Sequence, residues 1–139
     1  MAKLNDMVSI NSCVQIDLLG QIASESIGPK QISGVGGQVD FIRGAKMAHD
    51  GRGRAIIAMP SITEKRDGTR ISKVVPYLDH GAAVTTSRND ADYVVTEYGI
   101  AHLRGRTMRD RARLLIDIAH PDFREELIAN FEERFNTKY

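Results

Sequence analysis

The sequence has no tryptophan and only one cysteine, Cys13. A lone cysteine excludes an internal disulfide and suits a reducing cytoplasm. Aromatic residues make up 6% of the chain, too few for the stacking platforms that single-stranded nucleic acids use. Charge of one sign is also missing. The 19 Lys and Arg against 18 Asp and Glu leave a net charge of +1, which gives no global pull toward nucleic acid or anionic membrane. The longest apolar runs reach about five residues, against the roughly 20 that a membrane-spanning helix needs. The start, Met1-Ala2-Lys3-Leu4-Asn5-Asp6, carries no apolar signal core. The four histidines, His49, His80, His102 and His120, lack metal-ligand spacing, so no metal is expected.

What is present is an α/β pattern in one domain, residues 1–139. Met7–Ile10 and Val14–Leu18 read as short strands, and Ile22–Ser26 as a third strand or a loop. Ala55–Met59, bounded by turn signals, reads as a buried strand, and Glu64–Arg70 as a charged hairpin-like loop tipped by Asp67-Gly68. Ile71–Val75, Ala82–Thr86 and Tyr93–Thr96 read as further strands. The C-terminal third is helical. Thr107-Met108-Arg109-Asp110 resembles a capping box, and Met108, Ala112, Leu115 and Ala119 share one face. Pro121 suits the first position of a last helix, on which Phe123, Leu127, Phe131 and Phe135 recur at steps of four as core or subunit interface. Strands with interspersed helices argue an α/β fold with a mixed sheet, flanking helices and a helical C-terminus.

The richest segment is Ser33-Gly34-Val35-Gly36-Gly37-Gln38-Val39-Asp40-Phe41. Its glycines free the backbone to turn tightly, and a helix expected over Val39–Met47 follows at once. Amides at a helix N-terminus suit an anion or an acyl oxygen. The dinucleotide pattern fails, because its last glycine would fall on Val39, and no G-K-[ST] is present. A tight structural turn is the plainer alternative.

Several motifs recur in a familiar order. They are Val8–Ser12, Ile16–Gln21, Ser33–Phe41, Arg43-Gly44-Ala45, Val94–Ala101 and Ala119-His120-Pro121-Asp122-Phe123-Arg124. Together they resemble the C-terminal domain of the acetyl-CoA hydrolase/transferase family, nearest its 4-hydroxybutyrate and butyryl CoA-transferase branch. That resemblance implies transfer of CoA between a short-chain acyl-CoA and a carboxylate such as acetate, through a glutamyl-CoA thioester. Gly37 then matches the oxyanion-hole and CoA-contact glycine, with Gly36 beside it. Val14, Ser33 and Arg70 match further CoA-contact positions, although the family often has Lys where Arg70 stands. Coenzyme A enters as substrate, and no metal is implied.

One departure is large. In the resembled family the nucleophilic Glu lies upstream of the asparagine-serine motif, in a segment outside this sequence. The chain is therefore expected to be part of a larger enzyme, with the N-terminal part as its partner and little activity alone. Glu97 is an auxiliary candidate, facing the thioester pocket or else a strand-end acid paired with an arginine. Hydrolysis of acetyl-CoA and a non-catalytic CoA- or anion-binding module are the alternative functions. Arg104, Arg106, Arg109, Arg111 and Arg113 are read as a solvated helix face with pairs such as Arg113–Asp117, not as a nucleic-acid patch. Cys13 is read as a core residue. A homo-oligomer stays open.

Overall fold

The computed structural model describes residues 1–139. Its central sheet has four strands. β1 (Val8–Asn11), β6 (Arg54–Ala58) and β10 (Tyr93–Thr96) run parallel, and β11 (Gly99–His102) turns back antiparallel at the edge, giving the order β1-β6-β10-β11. Between β1 and β6 lie β2 (Gln15–Asp17), β3 (Ile22–Ala23), β4 (Ser26–Ile27), β5 (Lys30–Gln31) and helix α1 (Gln38–Lys46). Between β6 and β10 lie β7 (Ile62–Glu64), β8 (Arg70–Ser72) and β9 (Val74–Val75). β2 forms a small sheet with β3 and β9, while β4–β5 and β7–β8 are hairpins. Helices α2 (Met108–Asp117) and α3 (Pro121–Phe135) close the chain.

Period-two alternation decides which sheet face is buried. Ala55 and Ile57 of β6, Val94 of β10 and Ala101 of β11 point one way into the core. Ile42 and Ala45 of α1 and Ala112, Leu115 and Ile116 of α2 cover that face, with Leu127 and Phe131 of α3 behind them. The helix ends follow their sequence signals. Thr107 Oγ1 accepts the Asp110 N–H at 3.2 Å and donates to the Asp110 carboxylate at 2.8 Å. Pro121 opens α3, and His120 Nδ1 caps it by accepting the Asp122 N–H at 3.2 Å. Leu127 and Phe131 are buried, while Phe123 and Phe135 flank them half-buried.

Five expectations are corrected. Ile71–Val75 is not one strand, because it divides at Lys73 into β8, paired with β7, and β9, paired with β2. Helix α1 starts one residue early, at Gln38. Ile22–Ser26 is neither one strand nor a loop, because the chain breaks at Ser24-Glu25 between β3 and β4. Ala82–Thr86 is not a strand. The Thr85 and Thr86 N–H groups both reach Ile22 O and the Ala83 N–H reaches Ser26 Oγ, so irregular bonds replace a ladder and one bridge, Ile22–Thr86, remains. Gly99–His102 forms a further strand, β11, whose sequence signal is masked by Gly99, at φ +148°, on the return of a two-residue hairpin.

The arginine cluster also divides. Arg104, Arg106 and Arg109 are exposed, but Arg111 is buried and donates to Leu19 O at 3.1 Å and Arg88 O at 2.8 Å. Arg113 sits over the Phe131 ring and bonds Lys138 O, while Asp117 accepts the Tyr139 hydroxyl instead. The motif Ile16–Gln21 is structural. The Asp17 carboxylate accepts the N–H groups of Leu19 and Gln21 and the Gln21 amide, closing the β2–β3 turn. Gly20 stands there at φ +88°, where a Cβ would meet the Arg111 guanidinium at 2.8 Å.

Candidate functional site

Because β1, β6 and β10 are parallel, their C-terminal ends share one edge of the sheet, and open parallel sheets bind ligands at that edge. Helix α1 packs on β1 and β6, and its C-terminal end meets the start of β6, where Gly53 lies against Ala45 and Ala48. The helix therefore runs back and presents its N-terminus at the strands' C-terminal edge. Gln38 fixes that end by donating to Thr86 Oγ1 at 3.1 Å.

The glycine loop forms the approach to this terminus. Glu25, a buried residue, anchors its base: Glu25 O accepts the Ile32 and Ser33 N–H groups, and the Glu25 carboxylate accepts the Gln31 amide at 2.8 Å. Beyond Ser33 the pattern changes. The N–H groups from Gly34 to Asp40 donate to no acceptor in the protein, and residues 33–37 are exposed. Gly37 is the helix N-cap and has no side chain to cap the first turn. A run of unused donors at a positive helix end has the chemistry to receive an oxyanion or phosphate. Gly36 supplies the bend with φ +59°, a conformation other residues rarely hold. Gly37 has an ordinary φ of −99°, and a Cβ there would touch only the exposed Phe41 ring, at 3.3 Å. Ser33 Oγ turns inward on its own loop, donating to Gly34 O at 3.1 Å.

Glu97 stands at the same sheet edge, in the two-residue turn between β10 and β11. Its partner is not an arginine. The carboxylate accepts the Ser61 N–H at 2.8 Å and the Ser61 hydroxyl at 2.6 Å, and Ser61, just past β6, is fully buried. Partial desolvation raises the Glu97 pKa, but the hydrogen bonds from Ser61 and its own N–H, together with nearby His120, outweigh it and leave it lowered. Glu97 is thus held as the carboxylate at neutral pH. The neighbouring Tyr98 ring meets His120 edge-on at 5.5 Å and carries Arg124 on its face at 5.6 Å. Replacing Ser61 with Ala removes the hydroxyl donor, so the Glu97 pKa is expected to rise toward its ordinary value. A carboxyl carbon NMR titration reads this, and an unmoved midpoint contradicts the pairing.

Val14 is half-buried beside Cys13, and its N–H donates to Ala23 O at 2.8 Å. Lys73 reaches the same spot, its ammonium donating to Cys13 O at 3.0 Å. Burial pushes the Cys13 thiol up to about 12, against a smaller downward pull from Lys73. The thiolate is the reactive form, so Cys13 is expected to resist thiol reagents at neutral pH until the protein unfolds. Fast labelling of the folded chain would contradict its core placement.

Arg70 lies apart from the glycine loop and shares no hydrogen bond or ion pair with it. It pairs with Asp122 at 3.0 Å and Glu64 at 3.7 Å, all three side chains being largely exposed. It borders a 240 Å³ cavity between β8–β9 and α3, with Ile71, Pro76, Phe123 and Leu127. The Gly36-Gly37 amides and Glu97 lie at the C-terminal ends of the parallel strands, and Val14 follows β1 by three residues, with no direct contact among them; Arg70 meets Asp122 at the start of α3, next to His120 on the Glu97 side. Ser61, Lys73 and Glu25 carry no sequence motif that marks them. Each acts through a fold-made contact, and the Pro60-Ser61 pair after a strand was the only local cue.

The sequence matches the description "Acetyl-CoA hydrolase/transferase C-terminal domain" over residues 1–131. It is 65% identical over 133 residues to the 4-hydroxybutyrate coenzyme A transferase of Clostridium kluyveri, covering 96% of this chain and 30% of that protein. It is 43% identical over 133 residues to the butyryl-CoA:acetate CoA-transferase of Anaerostipes caccae, covering 96% of this chain and 29% of that one. The crystal structure of 4-hydroxybutyrate CoA-transferase from Porphyromonas gingivalis superposes with a TM-score of 0.73 at 46% identity, over 96% of this chain and 28% of the other. The chain thus spans less than a third of the length of these relatives.

Proposed function

This chain belongs to the acetyl-CoA hydrolase/transferase family, and from that premise we propose that residues 1–139 form a C-terminal domain that serves CoA transfer between a short-chain acyl-CoA and a carboxylate such as acetate. The free N–H groups of Gly34 to Asp40 at the start of α1 carry this reading.

The chemistry needs such a group at every step. A glutamate carboxylate attacks the thioester carbonyl of the acyl-CoA and expels the CoA thiolate, leaving an acyl-glutamyl anhydride. The thiolate then attacks the glutamyl carbonyl and expels the first carboxylic acid as its carboxylate, leaving a glutamyl-CoA thioester. A second carboxylate reverses the sequence and departs as the new acyl-CoA. Each attack passes through a tetrahedral oxyanion, which preorganised N–H donors stabilise without reorganising. In this proposal Gly37 and its neighbours supply those donors, and Val14, Ser33 and Gly36 approach the CoA. Arg70 reaches a CoA phosphate only by exchanging its exposed carboxylate partners, a low barrier for surface pairs. Glu97, fixed as an anion by Ser61, positions charge at the pocket edge and is not the nucleophile.

No acid of this chain matches the nucleophile, so that carboxylate belongs to the N-terminal part of the enzyme, and the isolated chain is expected to be inactive. The cytoplasm, rich in acyl-CoA, is the proposed setting, and no helix is long and apolar enough to cross a membrane. Hydrolysis is the second reading within the same family, with water intercepting the glutamyl thioester. Grafting this chain onto the Clostridium kluyveri transferase, in place of its matching region, gives a full-length chimera for the test. Acyl-CoA incubated with labelled acetate should yield labelled acetyl-CoA. Free CoA without labelled acetyl-CoA would mark a hydrolase instead.

A further inference from the structure

The central sheet is covered on one face only. The opposite face carries Val8 and Ile10 of β1, Ile56 of β6, Tyr93 and Val95 of β10, and Ile100 of β11. The register places them side by side: Ile10 opposes Ile56, which opposes Tyr93, and Val95 opposes Ile100. Ile10 is 68% exposed, Ile100 66% and Val8 51%, although β-branched residues of a sheet ordinarily bury such surface. A shallow 200 Å³ depression between Arg54, Ile56, Tyr93, Val95 and Ile100 marks its centre. Arg54 and His102, both at the end where the parallel strands begin, are polar groups of the face.

Parallel strands rarely leave a face to water, because their crossovers place cover on both sides. Here α1 and α2 share the inner face and no element of the chain crosses the outer one. A contiguous apolar patch of this kind marks an interaction surface. The relatives' own length selects the occupant. The matching family description is of a C-terminal domain, and this chain covers 30% of the Clostridium kluyveri protein, so the relatives carry a long additional part ahead of the matched region.

We infer that the outer face of the β1-β6-β10-β11 sheet is the docking surface for the preceding part of the family's full-length enzyme, which lays an apolar surface across Ile10, Ile56, Val95 and Ile100. This inference rests on family membership and not on the acyl-transfer chemistry, and its tests need no turnover. An interface there joins the two parts of the enzyme behind the edge that carries Gly37 and Glu97, so docking would also set the position of an incoming carboxylate.

Thiol labelling reads the cover directly. Ile10→Cys and Ile100→Cys should react quickly with a water-soluble maleimide in the isolated chain, with buried Cys13 as the slow background. In the chimera both should slow by about a hundredfold or more, as buried sites reached only through local opening do. Glu133→Cys, exposed on α3, should react fast in both. Equal rates at Ile10→Cys and Ile100→Cys in the two proteins would overturn the inference. So would protection already present in the isolated chain in step with a dimer on sedimentation, which assigns the face to a second copy. A second variant needs no chimera. Ile10→Thr with Ile100→Thr keeps the β-branch but removes apolar surface, so the isolated chain should keep its Tm within a few degrees. A fall of about 10 °C or more would show that these side chains are already packed, and the inference would fail.

Discussion

Gly37→Ala in the full-length chimera should lower kcat for CoA transfer by about tenfold to a hundredfold while leaving the fold intact. The two halves of this expectation have separate physical sources. The backbone at Gly37 has φ −99°, within reach of any residue, and its Cβ would meet only the edge of the exposed Phe41 ring at 3.3 Å. The ring can give by the few tenths of an ångström required, so stability should scarcely change. The site is different. A methyl group at the mouth of the free amides holds the acyl oxygen away from its donors, and a displacement near 1 Å can cost about a hundredfold in rate. Complete loss of one oxyanion donor costs about a hundredfold to a thousandfold, so a partial displacement falls below that. Gly36→Ala makes the contrasting control. It forces a side chain into φ +59°, which costs about 1 kcal/mol and alters the loop itself. Stopped-flow or steady-state kinetics with parallel thermal melts separates the cases. An unchanged kcat in Gly37→Ala contradicts the oxyanion role.

Gly53→Ala should destabilise the isolated chain by about 3 kcal/mol or more, the upper range for overpacking a filled site. The sequence Asp50-Gly51-Arg52-Gly53 looks like one turn, yet its two glycines serve different needs. Gly51 has φ +69° and open space around it, so its substitution carries backbone strain of about 1 kcal/mol. Gly53 is the point where the strand entry presses on α1, and a Cβ there would overlap Ala45 O and stand 2.7 Å from Ala48 Cβ. Neither neighbour is the free end of a flexible side chain, so the helix itself must move. That shift would also displace the α1 N-terminus, linking a stability defect to the site. Chemical denaturation of both variants tests this, and a Gly53→Ala loss no larger than that of Gly51→Ala contradicts the close approach.

The parts of the fold that sequence alone conveys are those set by local rules. The α2 capping box, Pro121 at the start of α3, and the buried Ile57 and Val94 strands follow from capping chemistry and periodicity. Tertiary context decided the rest. Thr85 and Thr86 have a strand-like composition but spend their N–H groups on a single carbonyl, Ile22 O. The β11 strand follows a glycine that reads locally as a stop. Arg111 belongs by spacing to a basic surface cluster, yet it is buried because two carbonyls, on Leu19 and Arg88, complete its hydrogen bonds. Burial pulls its pKa down, with Arg88 adding to the effect.

The same division runs through the site. The glycine loop was legible because three glycines before a helix announce free amides. The Ser61–Glu97 pair was not, since 36 residues separate its members and only the parallel register of β6 and β10 brings them together. Its pH dependence follows from the lowered Glu97 pKa. The pair is intact above the ordinary carboxylate range and is lost as pH falls through the lowered folded value. Arg70 shows the opposite case. Its residue type suits a phosphate, but its guanidinium is engaged by Asp122 and Glu64 and makes no bond to the amide loop.

The central claim is that this chain carries the oxyanion and CoA-approach side of the reaction while the nucleophilic carboxylate lies outside it. The most direct measurement is CoA transfer from butyryl-CoA to labelled acetate, run in parallel on the isolated chain and on the chimera at matched concentration. Labelled acetyl-CoA is expected from the chimera and none above background from the isolated chain. Turnover by the isolated chain, or a folded chimera that transfers nothing, would contradict it.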